Sequence, residues 1–191
     1  MKRISLVHEA HKAVQTVLQA GDYTIDATVG NGHDTLFLAR QVGPGGIVFG
    51  FDIQQSAIDQ TRCRLEQGKI DTPVELFMAS HAEMTNTVPA QFHGRIKAVM
   101  FNLGYLPGGD KLLITRTDTT IAALNQALRM LAPAGLLTIL AYPGHPGGDQ
   151  EADEVDKWCA GLEGSRYDKS SINSQENQND NTPRLYLVRP I

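Results

Sequence analysis

The chain has 191 residues, 41% of them hydrophobic, and a formal net charge of −4. That length suffices for one enzyme-sized domain with a three-layer core. The acidic balance argues against a module that holds nucleic acid by bulk electrostatics, while leaving room for a local basic face. Cys63 and Cys159 have neither CxxC spacing nor a histidine cluster nearby, which predicts free thiols in a reducing compartment and no metal site. No apolar run of about 18 residues and no cleavable leader is visible, so a soluble, cytoplasmic protein without a membrane partner is expected.

Leu6, Ala10, Val14, Val17 and Leu18 share one helical face behind Ser5, a capping residue, and predict an amphipathic helix over 6–18. A strand over 23–27 follows, then a helix over 33–41 that Val42-Gly-Pro-Gly-Gly46 terminates. Residues 47–52 read as a second strand, 56–67 as a helix, 74–78 and 96–101 as the third and fourth strands. Ile121, Leu124, Leu128 and Leu131 fall at helical spacing over 118–131, stopped by Ala132-Pro-Ala-Gly135 ahead of a fifth strand over 136–141. A helix over 149–162 and strands over 167–172 and 184–188 complete the pattern, with the polar stretch 173–182 as a flexible connection. Five strands alternating with helices, then two without one, predict a mainly parallel α/β sheet closed by an antiparallel hairpin in a single domain.

The stretch Asp26-Ala-Thr-Val-Gly30-Asn-Gly32-His-Asp-Thr35 joins the first strand to its helix, and Asp52 ends the next strand 20 residues after Gly32. Glycines at the turn allow a tight bend and close approach to a ligand. A carboxylate at that distance can accept two hydrogen bonds from ribose hydroxyls. A pocket for a nucleoside-bearing cofactor follows. A dinucleotide site calls for a third glycine where Thr35 stands, and does not usually end in a hairpin, so both departures point away from NAD.

These residues resemble the class I S-adenosylmethionine (SAM) methyltransferases, whose fold is Rossmann-like. Asp26 to Gly32 looks like their first motif, Asp52 like their ribose-binding acid, and Met130-Leu-Ala-Pro-Ala-Gly135 like their entry into strand five; Thr28 replaces the usual first glycine. More specifically, Asp26 to Thr35, Phe101-Asn-Leu-Gly-Tyr-Leu-Pro-Gly-Gly-Asp-Lys111 and Tyr142-Pro-Gly-His-Pro-Gly-Gly148 are similar to the YtqB-like family, labelled as rRNA methylases, over nearly the whole chain. The resemblance implies a seven-stranded sheet, SAM as cofactor, and an activity of the MnmM type: methylation of the 5-aminomethyl nitrogen of a modified wobble uridine, with the tRNA anticodon arm as partner.

Asn102-Leu-Gly-Tyr105 ends the fourth strand and resembles the Asn-Pro-Pro-Tyr motif of amino-methylating enzymes. An Asn carbonyl can align an amine's lone pair toward a methyl sulfonium, and Tyr105 can stack on a base. The alkylammonium must first lose a proton, for which His145, Asp34 or water are the acceptors. Cofactor contacts are expected from Asp26, Gly30, Asn31, Gly32, Asp34, Asp52, Gln54, Ser80, His81 and Asn102, although Asn31 and Asp34 equally suit a helix cap. Lys111, Thr115 and Arg116, with Tyr105 and His145, are the substrate-side candidates; Lys2, Arg3, His11 and Lys12 form a second basic cluster for tRNA phosphate. A SAM-dependent transferase of a small-molecule amine or of rRNA, and a SAM-binding module without turnover, are the alternatives. A homodimer is expected, because so small a domain offers little surface for an anticodon arm.

Overall fold

The structure, a computed structural model, describes residues 5–104, 114–144, 147–174 and 182–191. Tyr105, Lys111 and His145, with Lys2 and Arg3, lie outside the described residues. Six α-helices are described: α1 (Leu6–Gln15), α2 (His33–Val42), α3 (Gln55–Gln67), the single turn α4 (Met84–Thr87), α5 (Thr117–Met130) and α6 (Gly148–Gly161). The strands are β1 (Tyr23–Asp26), β2 (Ile47–Asp52), β3 (Val74–Met78), β4 (Ile96–Asn102), β5 (Leu131–Ala141), β6 (Tyr167–Asn173) and β7 (Arg184–Pro190), ordered β3-β2-β1-β4-β5-β7-β6 in one sheet. β1 to β5 pair in parallel, and β7 enters antiparallel between β5 and β6. The expected sheet with its terminal hairpin is therefore present.

Because the central strands are covered on both faces, their side chains feed two cores. Val99 and Phe101 of β4 and Leu137 and Ile139 of β5 join Leu124, Met130 and Val155 of α5 and α6. Ala98, Met100, Leu136 and Leu140 point the other way, to Leu6, Ala10 and Val14 of α1 and Leu38 of α2. Each fully buried large apolar side chain contributes about 1.5–3 kcal/mol relative to exposure. No helix among the described residues is long and apolar enough to cross a membrane.

Two boundaries differ from expectation by more than two residues. The first helix stops at Gln15 rather than 18, because the Thr16 hydroxyl donates to the Ala13 carbonyl (2.7 Å) and the chain closes a tighter turn there. Val17 and Leu18 still pack on the α1 core without being helical. The fifth strand begins at Leu131 instead of 136: Leu131 pairs with Ile96, the register then shifts, and Ala134 takes φ 55°. The breaker Pro133-Ala-Gly135 is thus an irregularity inside a strand.

β1 and β4 are neighbours although β2 and β3 intervene in sequence, so the chain order reverses between them. Open α/β sheets bind ligands at this point, beyond the carboxyl ends of the strands.

Candidate functional site

A cleft of about 720 Å³ opens at that edge. One wall is the turn after β1, where Gly30 and Gly32 take φ values of 52° and 75°. Asp52, at the end of β2, binds the turn through both oxygens: Gly30 N–H donates to Oδ2 and Gln54 N–H to Oδ1, each at 2.9 Å. Charge-assisted bonds of this kind fix the carboxylate while leaving lone pairs free toward the cleft. Gly30, Asn31, Asp34, Asp52, Gln54, Ser80, His81 and Asn102 all line the space.

Asp26 and Gly32, expected to touch the cofactor, are not among the lining residues. Asp26 is buried beneath the turn, accepting from the Thr35 hydroxyl (2.6 Å) and the Thr28 N–H (3.2 Å). Burial, followed by the charge of Asp34, raises it from 3.8 to about 7, against the opposing hydrogen bonds from Thr35 and Thr28. This bond accounts for Thr35 where a dinucleotide site has glycine. Gly32 answers to packing: a Cβ there would lie 2.6 Å from Thr61 Oγ1 of α3.

After β3, the Ser80 hydroxyl caps a short turn by accepting from Ala82 N–H (3.2 Å). His81 is buried, with Nδ1 3.2 Å from the Ala27 carbonyl. A carbonyl only accepts, so Nδ1 carries the hydrogen and Nε2 presents a lone pair. Burial lowers the pKa of the ring and favours its neutral form. Nε2 has no hydrogen-bond partner among the described residues.

Across the cleft, Asn102 ends β4 and its N–H donates to the Thr28 hydroxyl (2.7 Å). Thr28, which stands where the motif usually has glycine, therefore ties the turn to β4. Thr115 and Arg116 also line the cleft. The Thr115 hydroxyl is turned inward, accepting from Gly104 N–H (2.9 Å) and donating to Glu151 (2.6 Å). Arg116 is exposed and pairs with Asp118 at 3.2 Å.

Of the N-terminal basic cluster, His11 and Lys12 fall among the described residues. His11 Nε2 lies 2.6 Å from Asp34 Oδ1, and the imidazole stacks on Phe37 with centroids 3.8 Å apart. Lys12 pairs with Glu9 at 2.9 Å. α1 thus sets the His11 ring against Asp34 of the cleft wall. Tyr142, which follows β5 and lines the cleft, is another residue the sequence did not single out. Burial and the charge of Asp34 raise its pKa, so the phenol stays protonated. Cys63 and Cys159 are free thiols, as expected.

The reversed strand order, the antiparallel β7 and a glycine turn bound to a strand-end carboxylate define the class I methyltransferase fold. Within that class, the chain belongs to the family described as "Putative rRNA methylase", whose model matches residues 48–189. It is 45% identical over 161 residues to the "tRNA (mnm(5)s(2)U34)-methyltransferase, chloroplastic" of Arabidopsis thaliana, covering 80% of this chain and 58% of that relative. The chain therefore spans little more than half of that curated relative's length. A crystal structure from Clostridium thermocellum, bearing the same description as the family, superposes with a TM-score of 0.92 at 35% identity over 100% of both chains. A Streptococcus mutans protein solved in complex with SAH gives 0.86 at 31% identity, again over 100% of both.

Proposed function

We propose that this chain is a SAM-dependent N-methyltransferase acting on the 5-aminomethyl group of a modified wobble uridine in tRNA, to give the methylaminomethyl product. The observation that carries the reading is the pairing of Asp52, bound by Gly30 and Gln54, with Asn102 across one cleft. The label of the family points to rRNA, but the 45% identity to a tRNA methyltransferase favours tRNA.

The residues fit the cofactor. Asp52 has lone pairs left for ribose hydroxyls, and the orphaned Nε2 of His81 is an acceptor suited to the exocyclic amine of adenine. Gly30 and Asn31 would hold the amino-acid portion along the turn, with Asp34 as the candidate partner for its ammonium group. When bound, the sulfonium supplies an electrophilic methyl group. Asn102 accepts an N–H of the substrate amine through its side-chain carbonyl and aims the nitrogen lone pair at the reacting carbon. Nitrogen would gain the methyl group as the C–S bond breaks and the sulfur departs as the neutral thioether, S-adenosylhomocysteine, and the proton lost by nitrogen would pass to His145, Asp34 or water. The reaction is a direct displacement, so no side chain forms a covalent intermediate. Tyr105, Lys111 and His145 belong to this reading as base-stacking and substrate-side groups, with Arg116 at the cleft mouth. We further infer a single-domain cytoplasmic homodimer that grips the anticodon arm.

Transfer of labelled methyl from SAM to tRNA lacking only the terminal wobble methylation tests the reading. Incorporation at the wobble aminomethyl nitrogen is the expected result. Incorporation into rRNA or a small amine instead, with none in that tRNA, would overturn it.

A further inference from the structure

Three successive backbone N–H groups leave the end of β4, and each has its own holder. Asn102 donates to the Thr28 hydroxyl (2.7 Å), Leu103 to the Leu140 carbonyl (2.8 Å) and Gly104 to the Thr115 hydroxyl (2.9 Å). Thr115 N–H donates in return to the Gly104 carbonyl (2.8 Å), so the Gly104 peptide is clamped from both sides.

Behind the third holder stands a buried charge. Glu151, in the first turn of α6, is 3% exposed. Its Oε2 accepts from the Thr115 hydroxyl (2.6 Å) and its Oε1 from the Thr120 hydroxyl (2.7 Å), while no cation pairs with it among the described residues. Burying a carboxylate is costly unless it is hydrogen-bonded, and two hydroxyls with the positive end of α6 offset that cost. An apolar side chain could join the same helices without the cost. What only the carboxylate adds is direction. It accepts and never donates, so the Thr115 proton is committed to Glu151 and the Thr115 lone pairs must face Gly104 N–H.

We propose that Glu151 is a positioning residue of the reaction end: by committing the Thr115 proton it makes Thr115 an obligate acceptor for Gly104 N–H. That bond locks the peptides following Asn102 and keeps the Asn102 side chain aimed into the cleft. The inference rests on the reading of Asn102 as the group that aligns the amine.

The test uses the full chain as Thr115→Val, Thr115→Ser, Glu151→Gln and Glu151→Ala. Thr115→Val and Glu151→Ala are expected to lower single-turnover methyl transfer about 10- to 100-fold at saturating cofactor and tRNA, the scale of a misplaced reacting group. Affinity for S-adenosylhomocysteine stays within about two-fold, because the Asp52 wall is untouched. Amide hydrogen exchange at Gly104 accelerates in both variants while Leu103, held by Leu140, does not change. Thr115→Ser, which keeps the hydroxyl, restores both readouts. Glu151→Gln falls between, since its amide can face Thr115 with either a donor or an acceptor. Unchanged Gly104 exchange in Thr115→Val would overturn the proposal, as would losses of turnover and cofactor affinity in equal proportion. Should Glu151→Ala not fold, Glu151→Gln decides beside the two Thr115 variants: wild-type Gly104 exchange and turnover in Glu151→Gln would overturn the role of Glu151. A wild-type chain inactive on tRNA counts against the proposed function, whereas the Gly104 exchange comparison remains readable without turnover.

Discussion

The two walls of the cleft are built by different means. At the Asp52 end, a carboxylate, a glycine turn and two backbone amides hold each other within one β-α-β segment. At the Asn102 end, the holders come from far along the chain: Thr28 lies 74 residues from Asn102, and Glu151 lies 36 from Thr115. In the proposed reading, a cofactor common to many enzymes would be met by local backbone geometry, and the reaction end, which has to suit one substrate, by side chains gathered from separate elements.

This contrast can be broken most sharply at Asn102. Asn102→Ala should lower turnover about 100-fold, near 3 kcal/mol of transition-state alignment, with S-adenosylhomocysteine affinity nearly intact. Calorimetric titration beside single-turnover kinetics checks this; parallel losses would make Asn102 a structural residue. Asp52→Ala should do the reverse, weakening S-adenosylhomocysteine binding by about 1–2 kcal/mol, the loss of one or two charge-assisted bonds. Unchanged affinity would remove Asp52 from the cofactor wall.

Asp26 sharpens the comparison through pH. Its pKa is raised from 3.8 to about 7, chiefly by burial, so the folded chain favours the protonated carboxyl. The stability linked to that proton is complete below the unfolded value near 3.8 and is lost as pH rises through about 7. Unfolding free energies from urea titrations at about pH 5 and about pH 8 should differ less in Asp26→Asn than in the wild type, by on the order of 1–3 kcal/mol. Equal differences would show that another group carries the pH dependence. The smallest effect is expected from His11→Gln, which keeps a donor for Asp34 but loses the stack on Phe37. Turnover should fall by a few-fold, about 1 kcal/mol or less, with the midpoint of thermal unfolding nearly unchanged. A loss as large as that of Asn102→Ala would move His11 into the reaction itself.

The same contrast explains what the sequence disclosed. The turn from β1 and the carboxylate of β2 were legible because their partners are near in sequence and the spacing has one geometric meaning. Even there, Asp26 and Gly32 were read as lining the pocket. A strand-end acid and a turn glycine look alike whether they face a ligand or, as here, Thr35 and Thr61. At the other wall Asn102 stood out by its motif, but its supports did not. Thr28 looked like a departure from the expected glycine, His11 like part of a basic cluster, and Glu151 did not stand out at all. Each acquires its role only from a partner that folding brings near. The fold itself was readable from alternating periodicities; the irregular start of β5 was not, because Pro and Gly signal a break without saying whether pairing resumes beyond it.

β7 has a further consequence, for the order in which the molecule can be made. It occupies the slot between β5 and β6, and its Leu185 joins Leu6, Ala10 and Val14 of α1 in one core. A helix that starts at residue 6 therefore waits for a strand that starts at residue 184 before the cover of its apolar face is complete. During synthesis the outer edge of β5 stays unpaired from its completion at Ala141 until β7 follows, a state open to non-native strand pairing. Contacts of such sequence separation also slow folding. How well the β5 edge is shielded before β7 arrives therefore bears on how much of the chain reaches its native sheet.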